Sequence, residues 1–183
     1  PLDTRPQTAV LRPVLRINAL VLAPYPGTRD HNGNSGVDFA RALGLEPRTL
    51  GAYVDLIGRT VERAREAGVP ALKSALAYDR TLEFDTVPEP TARRLFAKGP
   101  DKLNPAEMKA LQDYLMHAVV DAAAACGLPV QIHTGIRTHS GDLLGTNPTL
   151  LTRLIAAHPT ARFDLFHGGY PYGAELGVMA KGF

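Results

Sequence analysis

The sequence predicts an α/β protein built on a parallel sheet, and three observations predict it. Short apolar, β-rich runs alternate along the chain with runs of helical period. The strand candidates are nearly continuous in apolar residues and are separated by helices, as in parallel sheets rather than hairpins. Two of them also end alike: His133 and His167 each close an apolar run just before glycine, one helix apart. The strands near 14–22, 69–77, 129–133 and 162–167 are therefore expected to be parallel neighbours, with helices on one side of a curved sheet.

In chain order, "VLRINALVLA" (14–23) reads as a strand stopped by Pro24, and "YPGTRDHNGNSG" (25–36) is dense in turn formers and reads as loop. "TLGAYVDLIGRTVERAREAG" sets Leu50, Tyr53, Val54, Ile57, Val61 and Ala64 on one helical face, with Gly68 as its C′ residue. "VPALKSALAY" (69–78) is the next strand. Asn104, Pro105 and Glu107 then form a capping-box start for a helix with a stripe of Met108, Leu111, Leu115, Ala118, Val119 and Ala122, closed by Gly127. "LPVQIHTG" is a strand, a helix runs from Asn147-Pro148 to Pro159, "ARFDLFHGG" is a strand, and "YGAELGVMAKG" is a helix capped by Gly182. Gln131 and Asp164 are polar residues in otherwise apolar strands.

Composition narrows the function classes. With 45% hydrophobic and 21% charged residues over 183 positions, the chain reads as one domain, 1–183. A formal charge of +2 with interspersed signs gives no basic stripe for nucleic acid and no polybasic membrane anchor. No apolar run approaches the ~18 residues of a membrane span. A single cysteine, Cys126, points to a reducing, cytoplasmic compartment; it reads as a small buried hydrophobe at a helix end.

The carboxyl ends of parallel strands face the ligand site in open sheets and barrels alike. Imidazoles at two such ends suit a divalent metal or acid–base work near neutral pH; each is also open to a core role on backbone. Lys73 shares a strand face with Val69, Ala71 and Ala75, which aims it into a restricted interior and depresses its pKa. There it can hold a substrate carboxylate or, once neutral, capture carbon dioxide as a carbamate ligand; the bland alternative is snorkelling at the strand end. The other histidines read as structural. His117 lies between Asp113 and Asp121 as a solvated charge partner, and His158 complements a helix C-terminus. His31 and His139 sit in polar loops from which either can approach a ligand. "HNGNSG" lacks the context of a phosphate-binding loop.

"GVPALKSALAYDR", "LPVQIHTG", "LLGTNPTLL" and "FDLFHGGYPYGAELGVMAKGF" resemble the amidohydrolase-related family of metal-dependent TIM-barrel hydrolases, in the branch whose members can be fused to glutamine synthetase. The resemblance runs from about residue 50 to the end. It implies a partial (β/α)8 barrel, roughly strands three to six with their helices. His133 then ends strand five as a metal ligand, while His167 ends strand six as a second ligand or as the catalytic group steering water and substrate. Lys73 matches the position of the carbamylated lysine of binuclear relatives, and Arg80, Arg137 and Tyr170 lie just past strand ends, where such enzymes hold substrate anions. The family's H-x-H pair is absent from these residues, and a complete barrel typically needs ~250 residues.

The resemblance therefore implies a divalent metal, zinc or alternatively manganese, and a small-molecule substrate whose amide, ester or lactone carbonyl is attacked by water. A metal-dependent decarboxylase or lyase on the same barrel is the alternative; a catalytically silent barrel with a regulatory or assembly role is another. The first residue is not Met, and Lys181-Gly182-Phe183 stops where a further strand is due. The chain thus reads as a fragment, expected to be inactive and short of metal ligands alone, with open strand edges that favour homo-oligomer formation.

Overall fold

The computed structural model describes residues 11–22, 24–137 and 143–183. Four strands, β1 (Leu15–Arg16), β2 (Leu72–Ser74), β3 (Val130–His133) and β4 (Phe163–Phe166), form one sheet in the order β1-β2-β3-β4. Every neighbouring pair is parallel. Seven α-helices are described: α1 (Asn18–Leu22), α2 (Gly36–Ala42), α3 (Leu50–Glu66), α4 (Glu89–Lys98), α5 (Pro105–Ala125), α6 (Thr152–Ala157) and α7 (Gly173–Gly182).

Strand alternation gives the sheet two unlike faces. Leu15, Leu72, Val130 and Ile132 point into a core shared with Leu56, Ile57 and Val61 of α3, Leu115 and Val119 of α5, and Leu154 of α6. On the opposite face the register lines up Arg16, Lys73, Gln131 and Asp164 as one row. Gln131 Nε2 donates to Asp164 Oδ2 at 3.0 Å. The two polar strand residues are thus cross-strand partners on the face away from the helices.

The run 14–23 was expected to be one strand, but only Leu15–Arg16 is paired and α1 begins at Asn18. The cause is Asn18, which is wholly buried. Its Oδ1 accepts from Ala75 N at 2.8 Å, taking the place of a ladder carbonyl, while the backbone behind it coils into helix. The capping box of α5 forms as read: Asn104 Oδ1 accepts from Glu107 N, and Glu107 Oε2 accepts from Asn104 N. The buried stripe of α5 is rotated from the expected one, to Leu111, Asp113, Leu115, Met116, Val119, Val120 and Ala123. Between Asn147 and Pro159 the chain makes a 3-10 turn, Pro148–Leu151, before α6.

The rotation of α5 follows from Asp113. Its carboxylate is buried and accepts from the Arg80 guanidinium, from Lys109 Nζ at 2.7 Å and from Asp85 N at 3.3 Å. Arg80 also donates to Glu83 O and Gln112 Oε1 and lies over the Phe84 ring. Arg80, expected to hold a substrate anion, is therefore turned to the helix layer, because a buried carboxylate needs its charge there. Nor is His117 a solvated partner of that aspartate. Its Nδ1 lies 2.7 Å from Nε2 of buried His158, whose Nδ1 meets Asp121 at 3.0 Å.

Removing one partner of such a buried pair leaves an uncompensated charge. Asp113→Ala should lower unfolding free energy by about 3–5 kcal/mol, and Asp113→Leu combined with Arg80→Met by clearly less; urea denaturation of the three proteins checks both.

Candidate functional site

The site forms at the carboxyl ends of β2, β3 and β4. His133 is the last residue of β3 and buried. Its Nε2 lies 2.9 Å from Ile136 O, an acceptor, which fixes the proton on Nε2 and leaves Nδ1 as a bare lone pair. That lone pair faces Nε2 of His167 at 3.1 Å. The two rings stand edge to face, 4.5 Å between centroids.

His167 reaches this position by a backbone reversal. Continued as a strand, alternation would carry it to the helix side, since Phe166 occupies the opposite face. Instead His167 takes φ +68°, followed by Gly168 and Gly169 at +58° and +64°. A non-glycine residue in this region costs of order 1–2 kcal/mol, and such strain concentrates where a side chain must be aimed. The loop after β3 locks against this turn. Gly135 has φ +72°, and a Cβ there would stand 2.1 Å from Tyr170 O. Ile136 N donates to that same oxygen at 2.7 Å, and Thr134 Oγ1 to Phe166 O at 2.8 Å.

Lys73 points to the same face. Its Nζ is buried without a hydrogen-bond partner and lies 3.3 Å from the centroid of the Phe166 ring. Burial pushes its ammonium down to about 8, with Asp164 opposing and Arg16 adding to the effect. His133 is held below its ordinary value by burial first; its bond to Ile136 opposes this, and the charges of His167, Lys73 and Arg137 assist. Arg137 stands beside the pair, donating to Ala77 O at 2.9 Å. The Tyr170 side chain is largely exposed, and it is the backbone oxygen of that residue that closes the loops. His139 lies outside the described residues.

A second wing of the site forms around His31, expected only as a loop histidine from which a ligand can be approached. His31 stacks on Tyr78 at 5.5 Å, and Tyr78 stacks on His133 at 4.7 Å. Asp79, next to Tyr78, accepts from His31 Nδ1 at 2.6 Å and from Asn18 Nδ2 at 3.1 Å. The signal available in sequence was only a histidine in a βα loop; its partner lies 48 residues away.

Nitrogens about 2.0–2.1 Å from a zinc ion lie roughly 3.3 Å apart at a tetrahedral angle. The 3.1 Å between His167 Nε2 and His133 Nδ1 is a hydrogen bond between the rings and is close to that separation, and the bond from His133 Nε2–H to a backbone carbonyl is the orientation that metal-bound histidines use. In donor type and separation the pair is compatible with two positions of a metal's shell. Among the described residues no group of three or more His, Cys, Asp or Glu converges on one point.

Residues 59–182, more than half of the chain, match the model of the Amidohydrolase family. The chain belongs to the amidohydrolase family. This amidohydrolase chain is 29% identical over 127 residues to the protein fluG of Emericella nidulans, a match that takes in 63% of the chain and 15% of fluG. Its fold is similar to that of a protein from Lactobacillus casei assigned as a metal-dependent hydrolase (TM-score 0.66, 23% identity, 93% of this chain and 41% of that one). It is also similar to the uronate isomerase of Thermotoga maritima (TM-score 0.73, 17% identity, 94% and 41%). The chain thus spans less than half of these relatives, and its four parallel strands with their helices are a partial TIM barrel. No helix among the described residues is long and apolar enough to cross a membrane.

Two outcomes follow from the geometry. His167→Gly should be about 1 kcal/mol more stable than His167→Ala, because both lose the imidazole but only alanine keeps the left-handed cost; thermal or urea unfolding checks this. A histidine whose folded value lies below the ordinary 6.5 takes its proton more readily in the unfolded chain. Its stability contribution is therefore present above pH 6.5 and lost as pH falls below it. Urea midpoints should drop between about pH 7.5 and about pH 5, and drop less in His133→Asn.

Proposed function

We propose that the protein carrying this chain is a metal-dependent hydrolase in which water attacks an amide, ester or lactone carbonyl of a small molecule. The observation that supports it best is the meeting of His133 Nδ1 and His167 Nε2 across the ends of adjacent parallel strands. In this reading His133 and His167 hold a divalent cation, zinc or manganese, with further ligands from barrel strands beyond these four. The cation, when bound, lowers the pKa of water and polarises the carbonyl.

The chain's own residues set the conditions. Ile136 O holds the His133 ring in the tautomer that presents Nδ1. Burial keeps that ring neutral and thus able to ligate. Lys73 and Arg137 place positive charge on the same side, where they draw a substrate's negative charge toward the strand ends. Lys73, lacking a hydrogen-bond partner, takes either a substrate carboxylate or a carbamate-forming carbon dioxide.

In the full-length protein, His133→Ala and His167→Ala should each weaken metal binding by at least roughly 10–100-fold, the loss that even an outer-shell change brings. Bound zinc and manganese, measured beside ester, amide and lactone hydrolysis, provide the test. Undiminished metal in both variants would sink the proposal.

A further inference from the structure

The wing of the site around His31 has a fixed hydrogen-bond polarity that the metal reading does not use. Asp79 is held by three donors: His31 Nδ1 at 2.6 Å, Asn18 Nδ2 at 3.1 Å and His31 N at 3.3 Å. Asn18 cannot flip, because its Oδ1 is occupied by Ala75 N. A carboxylate against Nδ1 puts the ring proton there. The opposite nitrogen, Nε2, lies 3.2 Å from Arg16 Nη2, and a guanidinium only donates. Both neighbours therefore require the same tautomer, with Nε2 as an acceptor. His31 is partly exposed, 30% for its side chain, while Asp79 behind it is 13% exposed. Tyr78 separates this lone pair from His133 by one ring.

The structure assigns His31 Nε2 and Arg16 as a recognition subsite for a hydroxyl group of the substrate. Arg16 and His31 bond each other here, and an atom that displaces this bond must accept from Arg16 and donate to His31. A carboxylate accepts only and would face the imidazole lone pair; an ammonium donates only and would face the guanidinium. A hydroxyl does both on one oxygen. Tyr78 lies in contact with both His31 and His133, so the substrate is a hydroxylated small molecule that lies along this ring between the subsite and the His133–His167 pair. Asp79 is a positioning residue that acts through the His31 tautomer. The assignment rests on the hydrolase reading for the identity of the reacting group, not for the hydroxyl itself.

The test uses the metal-loaded full-length protein with isotope-labelled histidine. Imidazole NMR should show His31 as the Nδ1–H tautomer, with an Nε2 resonance that moves on adding anhydroglucitol, a cyclic polyol, and stays put with tetrahydropyran, the same ring without hydroxyls. Asp79→Asn should admit the Nε2–H tautomer and weaken the polyol response at least tenfold, while bound metal stays as in wild type. Kinetics give a second readout. The preference in kcat/KM for gluconolactone over valerolactone should fall at least tenfold in His31→Phe, which keeps a ring on Tyr78. An Nε2–H tautomer in wild type, equal responses to both rings, or a preference unmoved in His31→Phe would overturn the subsite. A metal-loaded protein that hydrolyses neither lactone counts against the hydrolase reading, and the polyol response then decides the subsite alone.

Discussion

The contact on which the site depends is between two backbones. Gly135, in the turn after β3, lies so close to Tyr170 O that no side chain fits between them, and the neighbouring Ile136 N donates to that oxygen. This closure fixes the distance between two loops that share no sequence proximity. His133 precedes one loop and His167 opens the other, so their ring nitrogens meet because the backbones do. The left-handed turn through His167, Gly168 and Gly169 is the cost of that meeting. The parallel register of β3 and β4 sets the ends level, and the hydrogen bond from Thr134 to Phe166 O holds them so.

Away from that contact, the sheet separates two chemistries by alternation alone. The helix-facing side is an apolar core in which the buried carboxylate of α5, Asp113, is matched by Arg80 and Lys109. The opposite side carries charge in a row, with Arg16 and Lys73 toward one edge and Asp164 toward the other. Lys73 has no hydrogen-bond partner, and the Phe166 ring is its nearest aromatic surface. A buried amine in this position gives up its proton more readily than the surface lysines, at about 8, yet still carries its charge at neutral pH.

Rings carry the site from one wing to the other. His31, Tyr78, His133 and His167 form a continuous series of contacts across loops that follow β1, β2, β3 and β4. Hydrogen bonds set the polarity of each end. Ile136 O orients His133, Asp79 orients His31, and neither partner is adjacent to its histidine in the chain. Such second partners decide which nitrogen is presented, and hence whether an imidazole ligates, accepts or donates.

By itself the sequence determined the alternation of strands and helices, the parallel sheet, the capping box of α5 and the placing of two histidines at strand ends. These follow from local periodicity and from turn residues, which act over a few positions. Tertiary structure decided the rest, because the physical cause lies far away in the chain. Arg80 looked like an anion-binding residue until Asp113 on α5 claimed its charge. His117 looked solvated until His158 packed against it. The run 14–23 looked like one strand, but Asn18 replaced a ladder carbonyl with its side chain and ended β1 early. His31 gained a role only when Asp79 and Arg16 fixed its tautomer from opposite sides. Periodicity assigns a residue to a face; the partner it meets there, and so its charge and proton position, is set by contacts across the fold.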